Sequence, residues 1–204
     1  MSSPIQQILE KIEGDLNTEV LGEFRDLMST TVQNKLDEVM KNYKGLSATI
    51  PGASDDEAAY QGSLEDAAET IQAVHELSHE LSIIGLYRLV EERIKGMVKR
   101  NHRSLDQKQV YLIEYLKTNL PFKIADLSQF DALDELRLLN NAIKHDRFAS
   151  KSLATINPVW TEGQPILGLD AAYVRLLPLI KEYVKDFARQ SYANAEPRPP
   201  RPAP

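Results

Sequence analysis

Three groups of residues in this 204-residue chain have the types and the spacing to do chemistry. The first is His75-Glu76-Leu77-Ser78-His79, a literal H-E-x-x-H string. On a helix the i, i+4 spacing puts both imidazoles on one face, where they can share a zinc ion with the glutamate as base. A catalytic zinc needs a third protein ligand. After His79 the chain reads ELSIIGLYRLVEE, without the glycine and third histidine that would close such a site. The candidate carboxylates Glu91 and Glu92 follow 12 and 13 residues later. In one unbroken helix that is about 18 Å along the axis. The zinc reading therefore needs a broken helix, and without one the two histidines simply lie beside a core stripe.

The second group is LDELRLLNNAIKHDR, residues 133–147. Arg137, Asn141 and His145 fall at i, i+4 and i+8 of a helix, with Lys144 beside them and Arg147 just beyond. Leu136, Leu139, Ala142 and Ile143 form the opposite, apolar side. A stripe of Arg, Asn, Lys and His suits an anion or a phosphodiester, and a histidine such as His145 can act as an acid or base. A plain amphipathic helix with a cation favoured at its C-terminal end has the same pattern. The third group is Arg88, Arg93, Lys95, Lys99, Arg100 and Arg103, set against Glu91 and Glu92, a net +4 over sixteen residues. It is a candidate track for an RNA backbone, with Tyr87 near enough to stack on a base. Cations gathered at a helix C-terminus read the same way.

Helices must position all three. Ser3-Pro4 is a helix start, with proline at the first turn. Apolar residues at helical spacing then run from Ile5 to Tyr43, with Gly14 and Gly22 as points of bending or interruption. Residues 45–55 form the first loop. A second long helix starts near Ser54, with Glu57 completing a capping box. It is long enough that a break near Gly62 is expected. Residues 101–105 turn. A third helix covers 106–118 and stops before Pro121. Ser128 with Asp131 caps a fourth that ends near His145, and the last spans about 170–192. Residues 147–169 look irregular, with Trp160 as a core plug under a loop. The expectation is an all-α fold, an antiparallel helical bundle of four to six helices. Its parts are an N-terminal helical segment, 1–45, a bundle, 54–193, and a proline-rich tail, 194–204. That tail is disordered or extended in composition, and its PRPPRP string is the kind that an SH3-type groove accepts.

Composition limits the rest. Hydrophobic residues are 42% and charged residues 26%, the balance of a folded globule and not of a disordered chain. The absence of cysteine excludes disulfides, cysteine nucleophiles and thiolate metal sites, and fits a cytoplasmic location. No run of 18 apolar residues exists, so no membrane partner is expected. The start, MSSPIQQILEKIEGD, does not read as a secretory signal. The net charge of −6 is unevenly spread. Residues 1–80 hold 5 Lys/Arg and 16 Asp/Glu, net −11, whereas residues 81–204 hold 19 and 14, net +5. The second half can therefore hold a polyanion that the whole chain would repel.

The string LRLLNNAIKHD resembles the signature helix of HEPN-domain proteins (higher eukaryotes and prokaryotes nucleotide-binding). ELSIIGLYRLVEERIKGMVKR, residues 80–100, is similar to that family's earlier core helix, and the resemblance covers roughly residues 64–190. His145 takes the family's histidine position and Asn141 the polar position. The usual arginine position is occupied by Asn140, and the nearest upstream arginine is Arg137. The resemblance implies a HEPN-like helical bundle that forms a homodimer. It also implies one of two activities. One is a metal-independent endoribonuclease of toxin or antiviral-defence type with no cofactor, in which the ribose 2′-hydroxyl attacks the adjacent phosphorus. There His145 moves the proton, Arg137, Lys144 or Arg147 stabilises the phosphate charge, and Asn141 orients. The other is a non-catalytic module that binds RNA or a nucleotide, or dimerises. An antitoxin-like protein partner belongs to the first.

Overall fold

The structure is a computed structural model that describes residues 4–47 and 55–197. Seven α-helices follow one another among these residues: α1 (Pro4–Gly14), α2 (Glu19–Ser47), α3 (Asp55–Asn101), α4 (Ile113–Asn119), α5 (Phe130–His145), α6 (Lys151–Ile156) and α7 (Leu169–Ala193). A 3-10 turn at Ile124–Asp126 links α4 to α5. The described residues contain no strand, only one isolated antiparallel bridge between Phe148 and Pro165. The all-α helical bundle expected from the sequence is the observed architecture.

The chain divides into two compact units, residues 19–82 and residues 1–18 with 83–204. The sequence reading parted the chain at 45 and 54 instead. In the larger unit the core-facing residues keep helical spacing. Ile83, Leu86, Val90 and Met97 of α3 are fully buried, as are Leu136 and Leu139 of α5 and Leu176, Ile180, Val184 and Phe187 of α7. These positions repeat every three or four residues, as a one-sided helix stripe requires. The short α1 docks on α7 with Gly14 at the junction. A Cβ on Gly14 would stand 3.4 Å from the Ala188 Cβ and 3.4 Å from the Lys185 Cα. The buried carboxylate of Glu13 holds the same junction, paired with Arg100 and accepting from the Tyr192 hydroxyl at 2.7 Å. His102 is buried just beyond α3, 3.2 Å from the Ser191 hydroxyl, and burial lowers its pKa below the usual histidine value. The smaller unit contains α2 and the first part of α3. Within it the Gln61 amide donates to the Tyr43 hydroxyl at 3.1 Å.

Several elements differ from the sequence expectation. No break occurs at Gly62, because α3 is continuous from Asp55 to Asn101. Ser54 and its capping box lie outside the described residues, as do Ser3 and residues 198–204 of the tail. The expected helix over 106–118 begins only at Ile113. The cause is local: Asp106 accepts from the Lys108 backbone N–H at 2.9 Å and from the Gln109 amide at 2.8 Å, closing a turn in place of a helix. Ser128 does not cap α5. The residue before the helix is Gln129, in the left-handed region at φ 61, while the Ser128 N–H donates to Asp186 of α7 at 3.0 Å. Residues 147–169 are not wholly irregular. Ser150 caps the short α6, accepting from the Leu153 N–H at 3.2 Å. Trp160 is buried, as a core plug should be.

Candidate functional site at the end of α5

Helix α5 carries four of the five candidate catalytic residues, Arg137, Asn141, Lys144 and His145, and it divides into a locked half and an open end. Its apolar side, Leu133, Leu136 and Leu139, is buried in the larger unit. This orientation fixes where the polar residues go. Arg137 is half-buried, and its guanidinium is engaged by Asp134 one turn back, with Nε at 2.7 Å and a terminal nitrogen at 2.6 Å. It lines a small apolar cleft with Tyr87, Val90, Glu91, Leu116 and Leu133. Burial, then the charge of Glu91, pushes the Tyr87 hydroxyl above its usual pKa.

Asn140 is buried, and its Oδ1 has no hydrogen-bond partner. A longer cationic side chain would have to enter the packed interior there. Asn141, Lys144, His145 and Arg147 are all exposed. Arg137 and His145 thus share a face on the helical wheel but not an environment.

The open end has a defined backbone. After His145 the helix closes with the Arg147 N–H donating to the Ala142 carbonyl at 2.8 Å. This places Arg147 in the left-handed region at φ 61, where glycine is usual. An L-residue there is strained. The segment is then pinned: the Ile166 N–H donates to the Arg147 carbonyl at 2.9 Å, and the Ala149 N–H to the Gln164 carbonyl at 2.9 Å. Lys144 and His145 close α5 and Arg147 opens the pinned segment, and all three are exposed.

The Arg88–Arg103 track is largely engaged in the fold. Arg88 pairs with Glu92 at 3.1 Å. Arg93 donates to the Ile12 carbonyl at 3.3 Å, and Arg100 binds Glu13 and the Tyr192 hydroxyl, so both hold α1. Arg103 turns back onto the Arg100 carbonyl at 3.3 Å, while its own N–H and that of Ser104 are received by Glu196. The Ser104 hydroxyl, which also donates to Glu196, and after it these backbone bonds hold the Glu196 carboxyl below its ordinary pKa. Lys95 is half-buried and Lys99 exposed.

The His75 and His79 rings stand 4.3 Å apart, as i, i+4 spacing requires, and Glu76 receives the Gln72 amide at 3.4 Å. The helix break that a third ligand from Glu91 or Glu92 would need does not occur in α3. Among the described residues no three His, Cys, Asp or Glu side chains group as metal ligands. None of the described helices is long and apolar enough to cross a membrane.

Two features are invisible to spacing alone. The first is Glu135, nearly inaccessible at 3% exposure. Its carboxylate receives the Trp160 indole N–H at 2.7 Å, the Asn157 amide at 3.1 Å and the Arg175 guanidinium at 2.6 and 2.9 Å. Burial pushes its pKa up, and the bonds from Arg175, Trp160 and Asn157 outweigh that, so the group sits below its ordinary value. The only sequence signal was an acid beside Leu136 in the core stripe. The second is Phe148, exposed next to Arg147. Comparison of the chain with family models, with curated proteins and with solved structures finds no match.

Proposed function

We propose that this chain is a HEPN-like RNA-binding protein that meets RNA at the C-terminal end of α5. The observation that carries the reading is the exposure of Lys144 and His145 in the last turn of α5, with Arg147 exposed two residues beyond. Cations and a histidine exposed there suit phosphate oxygens, which accept charge-assisted hydrogen bonds. The resemblance of LRLLNNAIKHD to the HEPN signature helix and the all-α bundle agree with it. The affinity is electrostatic in origin and falls with salt. On this reading the protein works in the cytoplasm as a homodimer.

A second reading, metal-independent endoribonuclease activity, is favoured by the exposure of His145. The imidazole takes the proton of a ribose 2′-hydroxyl, the oxygen bonds to the adjacent phosphorus, and the phosphorus–O5′ bond breaks with a proton returned to O5′. The charge-stabilising role falls to Lys144, to Arg147 or to a cation from the second subunit. An antitoxin-like partner belongs to this reading.

One assay separates the two. Purified protein and the His145→Ala variant are incubated with cellular RNA, with and without EDTA, and binding is measured in parallel. Binding without cleavage is expected from the module. Cleavage that survives EDTA and disappears in the variant establishes the ribonuclease. Absence of both binding and cleavage at low salt would sink the proposal.

A further inference from the structure

Where α3 leaves the smaller unit, polar residues are inside and apolar residues outside. Ser78 and Ser82 are buried. Their hydroxyls are satisfied within the helix: Ser78 donates to the His75 carbonyl at 2.6 Å and Ser82 to the Ser78 carbonyl at 2.7 Å. Val74, Leu77 and Leu81 are instead 41%, 47% and 44% exposed. Their i, i+3, i+7 spacing makes one stripe along one face of the helix. The contact with α2 lies on another side. Gln61, whose amide reaches Tyr43 of α2, stands about 160° round the helix from Leu77. Among the described residues of this unit, Val32 and Leu64 are the buried apolar side chains. Helices that bury so little between them draw stability from a further apolar contact.

Charge decides what covers the stripe. From Asp55 to Glu80, α3 carries eight acids and no Lys or Arg. From Leu81 to Asn101 it carries five Lys/Arg and two Glu, net +3. Two copies of α3 laid parallel set −8 along −8. Laid antiparallel across the stripe, each sets its −8 along the +3 of the other. Packed helices lie about 8–10 Å apart, close to the screening length at physiological salt, so the difference is felt.

We infer that Val74, Leu77 and Leu81 are the face on which a second copy of this chain docks, α3 against α3 and antiparallel. The contact is isologous: Leu77 lies at the two-fold axis, and Val74 of each copy meets Leu81 of the other. The inference rests on the homodimer in the reading above, names its face, and makes no use of RNA.

The test follows the full chain and its Leu77→Asp and Leu81→Asp variants by light scattering over a concentration series, at low and high salt. The expected result is a reversible dimer of the unaltered protein that weakens as salt rises. Each variant should raise the dissociation constant about 30-fold or more, since every change occurs twice across the axis. Both positions are exposed, so circular dichroism should be unchanged. Orientation is read with cysteines, of which the native chain has none. Mixed Val74→Cys and Leu81→Cys proteins should oxidise to the mixed dimer, because identical positions lie about 10 Å apart along an antiparallel pair. Cross-links between identical positions instead show a parallel pair and overturn the inference. A dimer unaffected by both aspartates overturns the face and leaves the homodimer. A monomer at every concentration overturns face and homodimer together, while RNA binding, measured separately, is untouched.

Discussion

The two ends of α5 handle charge in opposite ways. Near its start, Glu135 is buried with every lone pair directed at a donor: an indole, an amide and a guanidinium. At its finish, Lys144, His145 and Arg147 face water on a turn that costs backbone strain at Arg147. A buried carboxylate persists only when its partners replace the water it lost. It is therefore a device for holding α5, α7 and the loop after α6 in one arrangement. An exposed cation gains little from its surroundings and is retained at little cost to the fold. The difference teaches which polar cluster to assign to structure and which to a ligand. The saturated one has no capacity left for a substrate. The exposed one meets solvent, where Lys144 and His145 can meet a ligand.

Removing the saturated cluster should produce the largest effect on stability. Glu135→Ala leaves the Trp160 indole and Arg175 without their acceptor. A loss of about 3 kcal/mol is expected in urea unfolding, the low end for a broken buried pair because the Arg175 side chain is 40% exposed and regains water. A loss under about 1 kcal/mol would show that the node is not the tie described.

A smaller effect should appear with pH. The folded pKa of Glu135 lies below its ordinary 4.5, so its contribution is present above that value and is lost as pH falls through the lowered one. Acid titration of stability should therefore be flatter in Glu135→Gln than in the unaltered chain below about pH 4.5. His102, also lowered, adds a separate decline that starts near pH 6.5 as the unfolded chain takes up a proton the folded one refuses. That decline should persist in Glu135→Gln. If both declines vanished together, the assignment to two independent groups would be wrong.

The smallest stability change belongs to the open end. Lys144→Ala should shift unfolding by less than about 0.5 kcal/mol. It should nevertheless reduce the salt slope of RNA binding by about one, the signature of one lost phosphate contact. A Lys144→Ala protein that is clearly destabilised, or whose salt slope is unchanged, would erase the contrast between the two ends.

Periodicity made the helices legible, because burial on one side of a helix imposes a repeat of three and four residues whatever the partner is. The apolar side of α5, Leu136, Leu139 and Ala142, could be read for that reason, and so could the outward register of Asn141, Lys144 and His145. The ends of helices were read less well. They depend on single contacts, such as Asp106 with Lys108 or Ser128 with Asp186, and the second joins residues 58 apart. The pairing of Arg100 with Glu13, 87 residues away, likewise withdrew a cation that local charge counting had assigned to an RNA track.

The sequence by itself determined an all-helical chain, the absence of thiol chemistry, and a histidine flanked by cations at the end of one helix. Those depend on composition and on neighbours along the chain. Only the tertiary structure decided that Arg137 answers to Asp134, that Glu135 is saturated, and that Phe148 stands outside opposite Pro165. The reason is physical. Whether a polar side chain is free to act depends on which donors and acceptors reach it, and most of those arrive from elements far away in sequence.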